Sequence, residues 1–406
     1  MHHTPQAASD ALRDLTQAGL RRQRRIIEAP NDELRGASHS AAPAHRIVNG
    51  RALLDFCSND YLGLSRDPRI AEAVAQGARR WGAGAGAAHL VSGHTREHHA
   101  LEEELAAFTG RQAALLFSTG YMANLGALTA LAARGEVILA DRLNHASLID
   151  GAQLSGARLL RYAHVSPESA QQALQSAGDK ATVLVTDGVF SMDGDVAPLP
   201  ALARLAAAHR AWLIVDDAHG LGVTGPTGRG SLEAFGLTAR DAPVLVGTLG
   251  KALGGFGAFL AGDHDLVEWV MQRARSYLFT TALPPAIAAG LRAALRICEQ
   301  ESWRREHLMQ LVARFRAGLQ SLNLPMTDSL TPIQPIVLGD AQRCLDASRA
   351  LAERGFLVAA IRRPTVPAGT ERLRVTLSAA HTPAHVDALL EALHACLPIA
   401  ANDPRR

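Results

Sequence analysis

Short apolar runs of strand length recur through the middle of the chain and alternate with segments of helical pattern, such as 124–133 and 199–209. The runs are 114–117, 137–140, 182–185, 212–215, 244–246 and 258–260. Strands that are apolar throughout and alternate with helices are typical of a mostly parallel sheet with helices on both faces. The sequence therefore predicts one large α/β domain.

The regions on either side of this domain have different patterns. Residues 10–28 are predicted to form a helix with a basic end. After Pro284, a second helical stretch runs to about Leu319. Shorter strands are predicted beyond it, near 333–337, 357–359 and 373–377. The expected parts are an N-terminal helix and arm over 1–48, the large α/β domain over 49–285, and a smaller C-terminal α+β domain over 286–406.

The composition excludes several function classes. The chain has 406 residues, of which 48% are apolar, and a formal charge of +2. It can bury a large core, but it has no global basic field that would draw it to nucleic acid or to an anionic membrane. Its four cysteines form no C-x-x-C pair, and neither a secretory leader nor a membrane span is expected from its apolar pattern. We therefore expect a cytoplasmic protein that binds a small molecule.

Polar residues follow most of the apolar runs, at 118–120, 141–145, 187–193, 216–219 and 248–251. In an open α/β sheet, ligands bind in the crevice beyond the carboxyl ends of the strands, so we expect these residues to share one site. The segment S-T-G-Y-M-A-N places Gly120 between a strand and a helix, where free N–H groups and the helix dipole favour a phosphate. An ordinary strand-to-helix turn is the alternative interpretation of Gly120.

The candidate catalytic residues at this edge are Asp216, His219 and Lys251. An ionised Asp216 could hold a pyridine nitrogen protonated, and His219 could bond a ring oxygen. Helix capping by Asp216, or metal ligation without a third obvious ligand, is the alternative. Lys251 lies in the glycine-rich, apolar segment T-L-G-K-A-L-G-G, and Schiff-base chemistry requires a desolvated lysine of lowered pKa. A solvated loop lysine is the other interpretation, and Ala252 excludes a P-loop.

Two further patterns support functions of other classes. His94, Glu97 and His98 fit H-x-x-E-H, a zinc-hydrolase pattern, although His98 also continues the apolar face of a helix predicted from about Thr95 to Phe108. A hydrogen-bonded histidine at a helix start is the structural alternative. The basic segment 21–25 could instead serve an interaction scaffold without catalytic activity, or form a solvated helix face.

The order of Gly120, Asp216 with His219, and Lys251 after Thr248 resembles pyridoxal-phosphate enzymes of the aspartate-aminotransferase-like fold, fold type I. More narrowly, the chain resembles the α-oxoamine synthases. The motifs that carry this resemblance are S-N-D-Y-L-G-L (58–64), D-R-L-N-H-A-S (141–147), V-F-S-M-D-G-D (189–195), V-D-D-A-H-G (215–220) and T-L-G-K (248–251). The resemblance implies that an amino acid condenses with an acyl-CoA thioester, loses carbon dioxide and yields an aminoketone, with pyridoxal 5'-phosphate as cofactor and no metal.

Within the family, residues 360–374 most resemble the members that join L-alanine to pimeloyl-CoA or pimeloyl-ACP in biotin biosynthesis, giving 8-amino-7-oxononanoate. The same segment contains P-T-V-P, which also resembles the glycine-using members that make 5-aminolevulinate. Another glycine-using member of the family, such as one that makes 2-amino-3-ketobutyrate, is a further alternative. Two positions depart from the family pattern. Arg363 stands where the biotin members usually have a second proline, and Asp187 replaces a glutamate.

The resemblance also implies roles for residues around the cofactor. Lys251 would hold the cofactor covalently and, once released, remove the α-proton of the amino acid. Asp216 would keep the ring nitrogen protonated, since the protein need only position the cofactor and tune its electronics. His219 would bond the ring oxygen, and His145 would stack on the ring face.

Further implied contacts concern the phosphate and the subunit interface. Gly120 and Tyr121, by their backbone, and Thr248, by its hydroxyl, would hold the phosphate. Thr280 or Thr281, in Y-L-F-T-T, resembles the segment that reaches the phosphate of the neighbouring subunit. The resemblance therefore implies an obligate homodimer with its active site at the subunit interface.

The remaining implied residues bind the two substrates. Asn59 and Ser191 would line the substrate side of the site, with Ser191 near the cofactor's ring oxygen O3 or the reacting carbonyl. Arg374 would bind the amino-acid carboxylate, a task suited to the planar guanidinium. Arg21 and Thr365 resemble contacts to the acyl substrate.

Overall fold

The computed structural model describes residues 5–28 and 44–397. They divide into two compact units. The first comprises residues up to Asn59, Met192–Gly194 and residues from His307 onward, and the second comprises Asp60–Ser191 and Asp195–Glu306. The domain boundaries expected at residues 48 and 285 stay predictions.

The elements of the described ranges are numbered in chain order. The helices are α1 (Pro5–Gln17), α2 (Pro68–Trp81), α3 (Arg96–Thr109), α4 (Gly120–Leu131), α5 (Ala146–Ser155), α6 (Pro167–Ala177), α7 (Leu199–Ala208), α8 (Ser231–Ala234), α9 (His264–Arg273), α10 (Arg275–Leu278), α11 (Pro285–Gln300), α12 (Trp303–Ser321), α13 (Ala341–Glu353) and α14 (Pro383–Cys396). The strands are β1 (Ile27–Glu28), β2 (His45–Val48), β3 (Arg51–Asp55), β4 (Ala113–Phe117), β5 (Val137–Asp141), β6 (Arg158–Tyr162), β7 (Ala181–Asp187), β8 (Trp212–Asp216), β9 (Val244–Thr248), β10 (Ala258–Gly262), β11 (Ile333–Val337), β12 (Phe356–Leu357), β13 (Ala359–Ile361) and β14 (Arg372–Thr376).

The second unit contains a seven-stranded sheet in the order β4-β10-β9-β8-β7-β5-β6. Strands β5 to β9 pair in parallel, and β10 is antiparallel to both of its neighbours. Each of the six apolar runs forms one of these strands, so the predicted mostly parallel sheet is confirmed. The seventh strand, β6, was not predicted because its sequence, R-L-L-R-Y, is charged and partly exposed at the edge of the sheet.

Successive residues of the central strands point to opposite faces of this sheet, and each face has its own core. On one face, Ile138 and Val183 pack with Leu128 of α4. On the other face, Leu139 and Leu184 pack with apolar residues of α6 and α7. The alternation explains why these strands are apolar throughout, since helices cover both faces.

The first unit contains a four-stranded sheet, β1-β2-β3-β12, and a three-stranded sheet, β11-β14-β13. The strands predicted near 333–337 and 373–377 are confirmed, whereas the one expected at 357–359 is two short strands. The helix predicted over 10–28 is wrong at its C-terminal end. It stops at Gln17, two residues before Gly19, whose φ of 64° is a left-handed conformation that ends a helix.

The helix expected from about Thr95 is confirmed as α3, which ends at Gly110 in the left-handed conformation, with φ 65° and ψ 34°. Within the described ranges, no helix is both long and apolar enough to span a bilayer. The cysteines carry free thiols at Cys57, Cys298, Cys344 and Cys396.

Candidate active site

Polar side chains stand at the carboxyl ends of adjacent parallel strands in the second unit. Asp141 ends β5, Asp187 ends β7, Asp216 ends β8 and Thr248 ends β9. Asp187 and Asp216 are direct register partners, so their strands end side by side. This edge is where an open α/β sheet binds its ligand, and it is the edge that the sequence predicts.

A short chain of side-chain contacts links Lys251, His219 and Tyr61. The Lys251 Nζ lies 2.9 Å from Nε2 of His219, and the Tyr61 hydroxyl lies 2.6 Å from Nδ1 of the same ring. Tyr61 is fully buried and His219 is nearly so. Each ring nitrogen of His219 therefore contacts a side chain that can gain or lose a proton. The sequence motif that contains Tyr61 does not indicate this contact, because Tyr61 lies 158 residues before His219.

Asp216 is held by two hydrogen bonds. Its Oδ2 accepts from the Asn124 amide at 2.6 Å, and its Oδ1 accepts from the Ala218 N–H at 3.0 Å. The residues after Asp216 form a turn, and the next helix begins only at Ser231. Helix capping therefore does not explain this carboxylate. The contacts hold it in one orientation at the strand end.

His145 is oriented by three neighbours. Its backbone N–H donates to Oδ2 of Asp187 at 2.8 Å, and its Nδ1 lies 2.7 Å from the Ser147 hydroxyl. That hydroxyl accepts from Asn124, which also contacts Asp216. Burial lowers the pKa of His145, so its ring is neutral at pH 7 and suited to stacking. Sequence reasoning assigned no role to Asn124 or Ser147, although both lie in the motifs that it singled out.

Asp187 supports the turn that carries His145. It is buried, and its burial together with the charge of Asp216 raises its pKa well above the usual range. Its backbone N–H donates to the Asn144 side chain at 3.2 Å. The carboxyl group that replaces the family's glutamate thus contacts the backbone next to the site.

The start of α4 and the end of β9 provide donors for an anion. Thr119 caps α4 by accepting from the Met122 N–H at 3.2 Å, and the helix opens with Gly120 and Tyr121. The space beside Gly120 is open, because a Cβ there would meet nothing within 4 Å. The Thr248 hydroxyl lies near the same edge and accepts from the Gly250 N–H at 3.3 Å. Helix N-termini with free N–H groups bind phosphates.

The residues predicted to reach a neighbouring subunit lie on an apolar part of the surface. Thr281 pairs with Ala88 in an isolated bridge, next to Phe279, which is 70% exposed. Val91, three residues after Ala88, is 80% exposed.

In the first unit, β14 and the segment after β3 bring two predicted substrate residues together. The Arg374 guanidinium donates to Oδ1 of Asn59 at 3.2 Å and to the Thr376 hydroxyl at 2.9 Å. Arg374 is buried, so its guanidinium is held in place by these contacts. Among the residues predicted to contact the acyl substrate, Thr365 accepts from Arg22 at 2.9 Å, whereas Arg21 is exposed.

Two of the three H-x-x-E-H residues, Glu97 and His98, have structural partners. Nδ1 of His98 accepts from the Thr95 N–H at 3.0 Å as part of a capping box, and its Nε2 lies 2.5 Å from the Leu283 carbonyl. Glu97 forms an ion pair with Arg292 at 2.8 Å. With both His98 nitrogens bonded to the backbone, the geometry favours the structural alternative over a zinc hydrolase.

The residues at the sheet edge fit pyridoxal 5'-phosphate by their chemistry. A carboxylate suits the ring nitrogen, an imidazole suits the ring oxygen, an amine suits the aldehyde, and a helix N-terminus suits the phosphate. All four kinds of group follow β4, β8 and β9, whose carboxyl ends lie at one edge of the sheet.

Comparisons with known proteins agree with this donor set. The family model for aminotransferase class I and II matches residues 51–393. An 8-amino-7-oxononanoate synthase from Methylococcus capsulatus is 56% identical over 390 residues, which cover 96% of this chain and 98% of that one. Another, from Thioalkalivibrio sulfidiphilus, is 58% identical over 376 residues, covering 92% and 93%. A solved structure of a serine palmitoyltransferase from S. paucimobilis with a bound PLP-myriocin aldimine matches with a TM-score of 0.89 at 30% identity, covering 96% of each chain.

Proposed function

This chain belongs to the α-oxoamine synthases of the class I and II aminotransferase family, and we propose that it condenses L-alanine with a pimeloyl thioester. The reaction releases carbon dioxide and the thiol carrier and yields 8-amino-7-oxononanoate in biotin biosynthesis. The fold is fold type I, and the cofactor is pyridoxal 5'-phosphate. The observation that carries the proposal is the Lys251–His219 contact at the sheet edge, in a chain more than half identical to two enzymes of that name.

The bound cofactor supplies an electron sink for the carbanion that forms at the amino-acid α-carbon. Lys251 would hold the cofactor and, once released, its amine would take the α-proton of the amino acid. Its amine lies 2.9 Å from Nε2 of His219, within reach for sharing a proton. Asp216 supplies the negative charge that keeps the ring nitrogen protonated, and its hydrogen bonds from Asn124 and Ala218 hold it in position.

His219 and His145 orient the cofactor ring. His219 would bond the ring oxygen, and Tyr61, which contacts Nδ1 of the same imidazole, fixes the plane of that ring. His145 stacks on the ring, and its neutral state avoids placing a second cation beside the protonated ring nitrogen. Gly120 and Tyr121, through their N–H groups, and the Thr248 hydroxyl bind the phosphate, assisted by the positive end of the α4 dipole.

Arg374 binds the amino-acid carboxylate. Asn59 and Thr376 both accept from its guanidinium. Because these contacts already restrict the Arg374 side chain, it loses less conformational entropy when substrate binds. Ser191 completes the substrate side. Arg21 and Thr365 contact the acyl thioester, with the adjacent Arg22 bonded to Thr365 as support.

The protein acts as a homodimer in which Thr280 or Thr281 contributes to the partner's phosphate site. The exposed side chains of Phe279 and Val91 support this assignment, because large apolar groups clustered on a surface mark an interface. The Ala88–Thr281 bridge pairs the two segments that carry these side chains.

A substrate matrix tests the reaction. Glycine, L-alanine and L-serine are each paired with pimeloyl-, succinyl-, acetyl- and palmitoyl-CoA, and the release of CoA and of carbon dioxide is followed. We expect the highest kcat/KM for L-alanine with pimeloyl-CoA. Preference for glycine with succinyl-CoA would overturn the biotin assignment, and activity with none of the pairs would overturn the proposed condensation with CoA thioesters.

A further inference from the structure

His164 lies between two carboxylates, just beyond the end of β6. Its Nδ1 is 2.9 Å from Oδ1 of Asp141, and its Nε2 is 2.8 Å from Oδ2 of Asp195. A carboxylate accepts hydrogen bonds, and a ring that faces one on each side donates from both nitrogens only as an imidazolium. The contacts therefore describe a cation held between two anions.

Asp141, which carries one of these carboxylates, stabilises the turn before His145. Asp141 is 1% exposed and ends β5. Its Oδ1 also accepts from the Leu143 N–H at 2.8 Å, and its backbone carbonyl accepts from the Asn144 N–H at 3.2 Å. The chain from Asp141 thus makes a tight turn that ends at His145, the residue proposed to stack on the cofactor.

Asp195, which carries the other carboxylate, closes the hairpin that contains Ser191 through its backbone. The backbone carbonyl of Asp195 accepts from the Phe190 N–H at 2.9 Å, next to the bridge between Val189 and Val196. The His164 ring also packs edge-on against Phe190, with 4.4 Å between the ring centroids and an angle of 85°. His164 therefore contacts the hairpin at two points beside Ser191.

We propose that His164 is a positioning residue whose imidazolium joins the turn of His145 to the hairpin of Ser191. This inference rests on the proposed function, which gives those two residues their roles at the cofactor and the substrate. We assign His164 no contact with either one, because its two ring nitrogens face Asp141 and Asp195, through which it acts. Loss of the cation would let the turn and the hairpin separate, and displacements of about 1 Å at reacting groups lower rates by about 100-fold.

The charges around the ring favour the cation at working pH. Burial alone would lower the pKa of His164, but the hydrogen bonds and charges of Asp141 and Asp195 raise it to about 10. The other side chain packed on the ring, Phe190, carries no charge. The bridge should therefore persist throughout the neutral pH range.

NMR of the apoenzyme tests the protonation state without reference to activity. Protein labelled with ¹³Cε1-histidine is titrated from pH 6 to 9, and the His164 signal is assigned by its absence in His164→Gln. We expect a signal at the imidazolium position that does not move in this range, and a lower midpoint in Asp195→Asn. A signal that titrates near pH 6.5 in the unmodified protein would overturn the proposal.

Kinetics and the visible circular dichroism of the bound cofactor test the positioning. For His164→Gln we expect cofactor stoichiometry to be retained, kcat to fall by about 10- to 100-fold and the cofactor's dichroic band to change, with Asp195→Asn showing a smaller effect. The control is His264→Gln, at the exposed start of α9, which should leave both unchanged. Unaltered kcat and dichroism in His164→Gln would contradict the proposal.

Failure of the substrate matrix alone would instead count against the proposed function, because the NMR result does not depend on the substrate.

Discussion

Two buried histidines of the second unit, His98 and His219, differ in what their ring nitrogens contact. Both are at most 6% exposed. His98 bonds the backbone of Thr95 and Leu283, groups that do not titrate. His219 contacts the Tyr61 hydroxyl and the Lys251 amine, which do. Burial is thus similar in the two places, and the chemistry of the partners separates a histidine bonded to the backbone from one whose side-chain neighbours can exchange a proton.

Replacing Lys251, which contacts His219, should have the largest effect on activity. Lys251→Ala removes both the proposed covalent anchor of the cofactor and the proposed base, so we expect kcat/KM to fall by at least about 1,000-fold. The sequence has one other lysine, Lys180, and Lys180→Ala is the matched control, expected within about 2-fold of the unmodified enzyme. A Lys251→Ala enzyme within 10-fold of the original would refute this role.

Asp216→Asn should have the next largest effect. An amide cannot supply the negative charge for the ring nitrogen, so we expect kcat to fall by about 100- to 1,000-fold, the usual loss for one electrostatic contact to a developing charge. Steady-state kinetics with saturating cofactor measures it. Since Asn preserves the size of the side chain, a loss below 10-fold would show that the charge of Asp216 is unimportant.

Tyr61→Phe should have a moderate effect. One hydrogen bond to His219 contributes about 0.5–1.5 kcal/mol, which corresponds to a fall of up to about 10-fold in kcat. The pH profile of kcat should also shift, because the ring nitrogen that faced the hydroxyl loses its partner. An unchanged profile would mean that Tyr61 only fills space.

His98→Gln should affect stability far more than activity. The change leaves the Thr95 N–H or the Leu283 carbonyl without its partner, which costs about 1–3 kcal/mol in free energy of unfolding. Activity per folded enzyme should stay within about 2-fold. Chemical denaturation measures the loss, and His99→Gln, at a half-exposed neighbouring position in α3, is the control, expected within about 0.5 kcal/mol.

The stability difference between the unmodified protein and His98→Gln should also depend on pH. Burial lowers the pKa of His98 below its ordinary value of 6.5. As the pH falls through 6.5, the unfolded chain binds a proton that the folded ring does not, so stability from this residue is lost. Denaturation at pH 8 and pH 5.5 should show a smaller difference at the lower pH, and a difference that grows on acidification would contradict this.

The sequence predicts the sheet and its edge because both depend on local patterns. Apolar runs locate the strands, and Asp216, Thr248 and Lys251 follow them directly. Contacts between distant segments leave no comparable local pattern in the sequence. Tyr61 meets His219 across 158 residues, and Arg374 meets Asn59 across 315. The edge strand β6 and the early end of α1 were missed because a charged edge strand and a helix-ending glycine resemble ordinary surface sequence.

The most direct test of the account is to locate the cofactor on the chain. Holoenzyme is reduced with borohydride, digested and analysed by mass spectrometry. Since the chain has only two lysines, the outcome is unambiguous. We expect the long-wavelength absorbance to disappear and a pyridoxyl group to appear on Lys251 in the segment after β9. A group on Lys180, or a holoprotein without absorbance or label, would contradict the account.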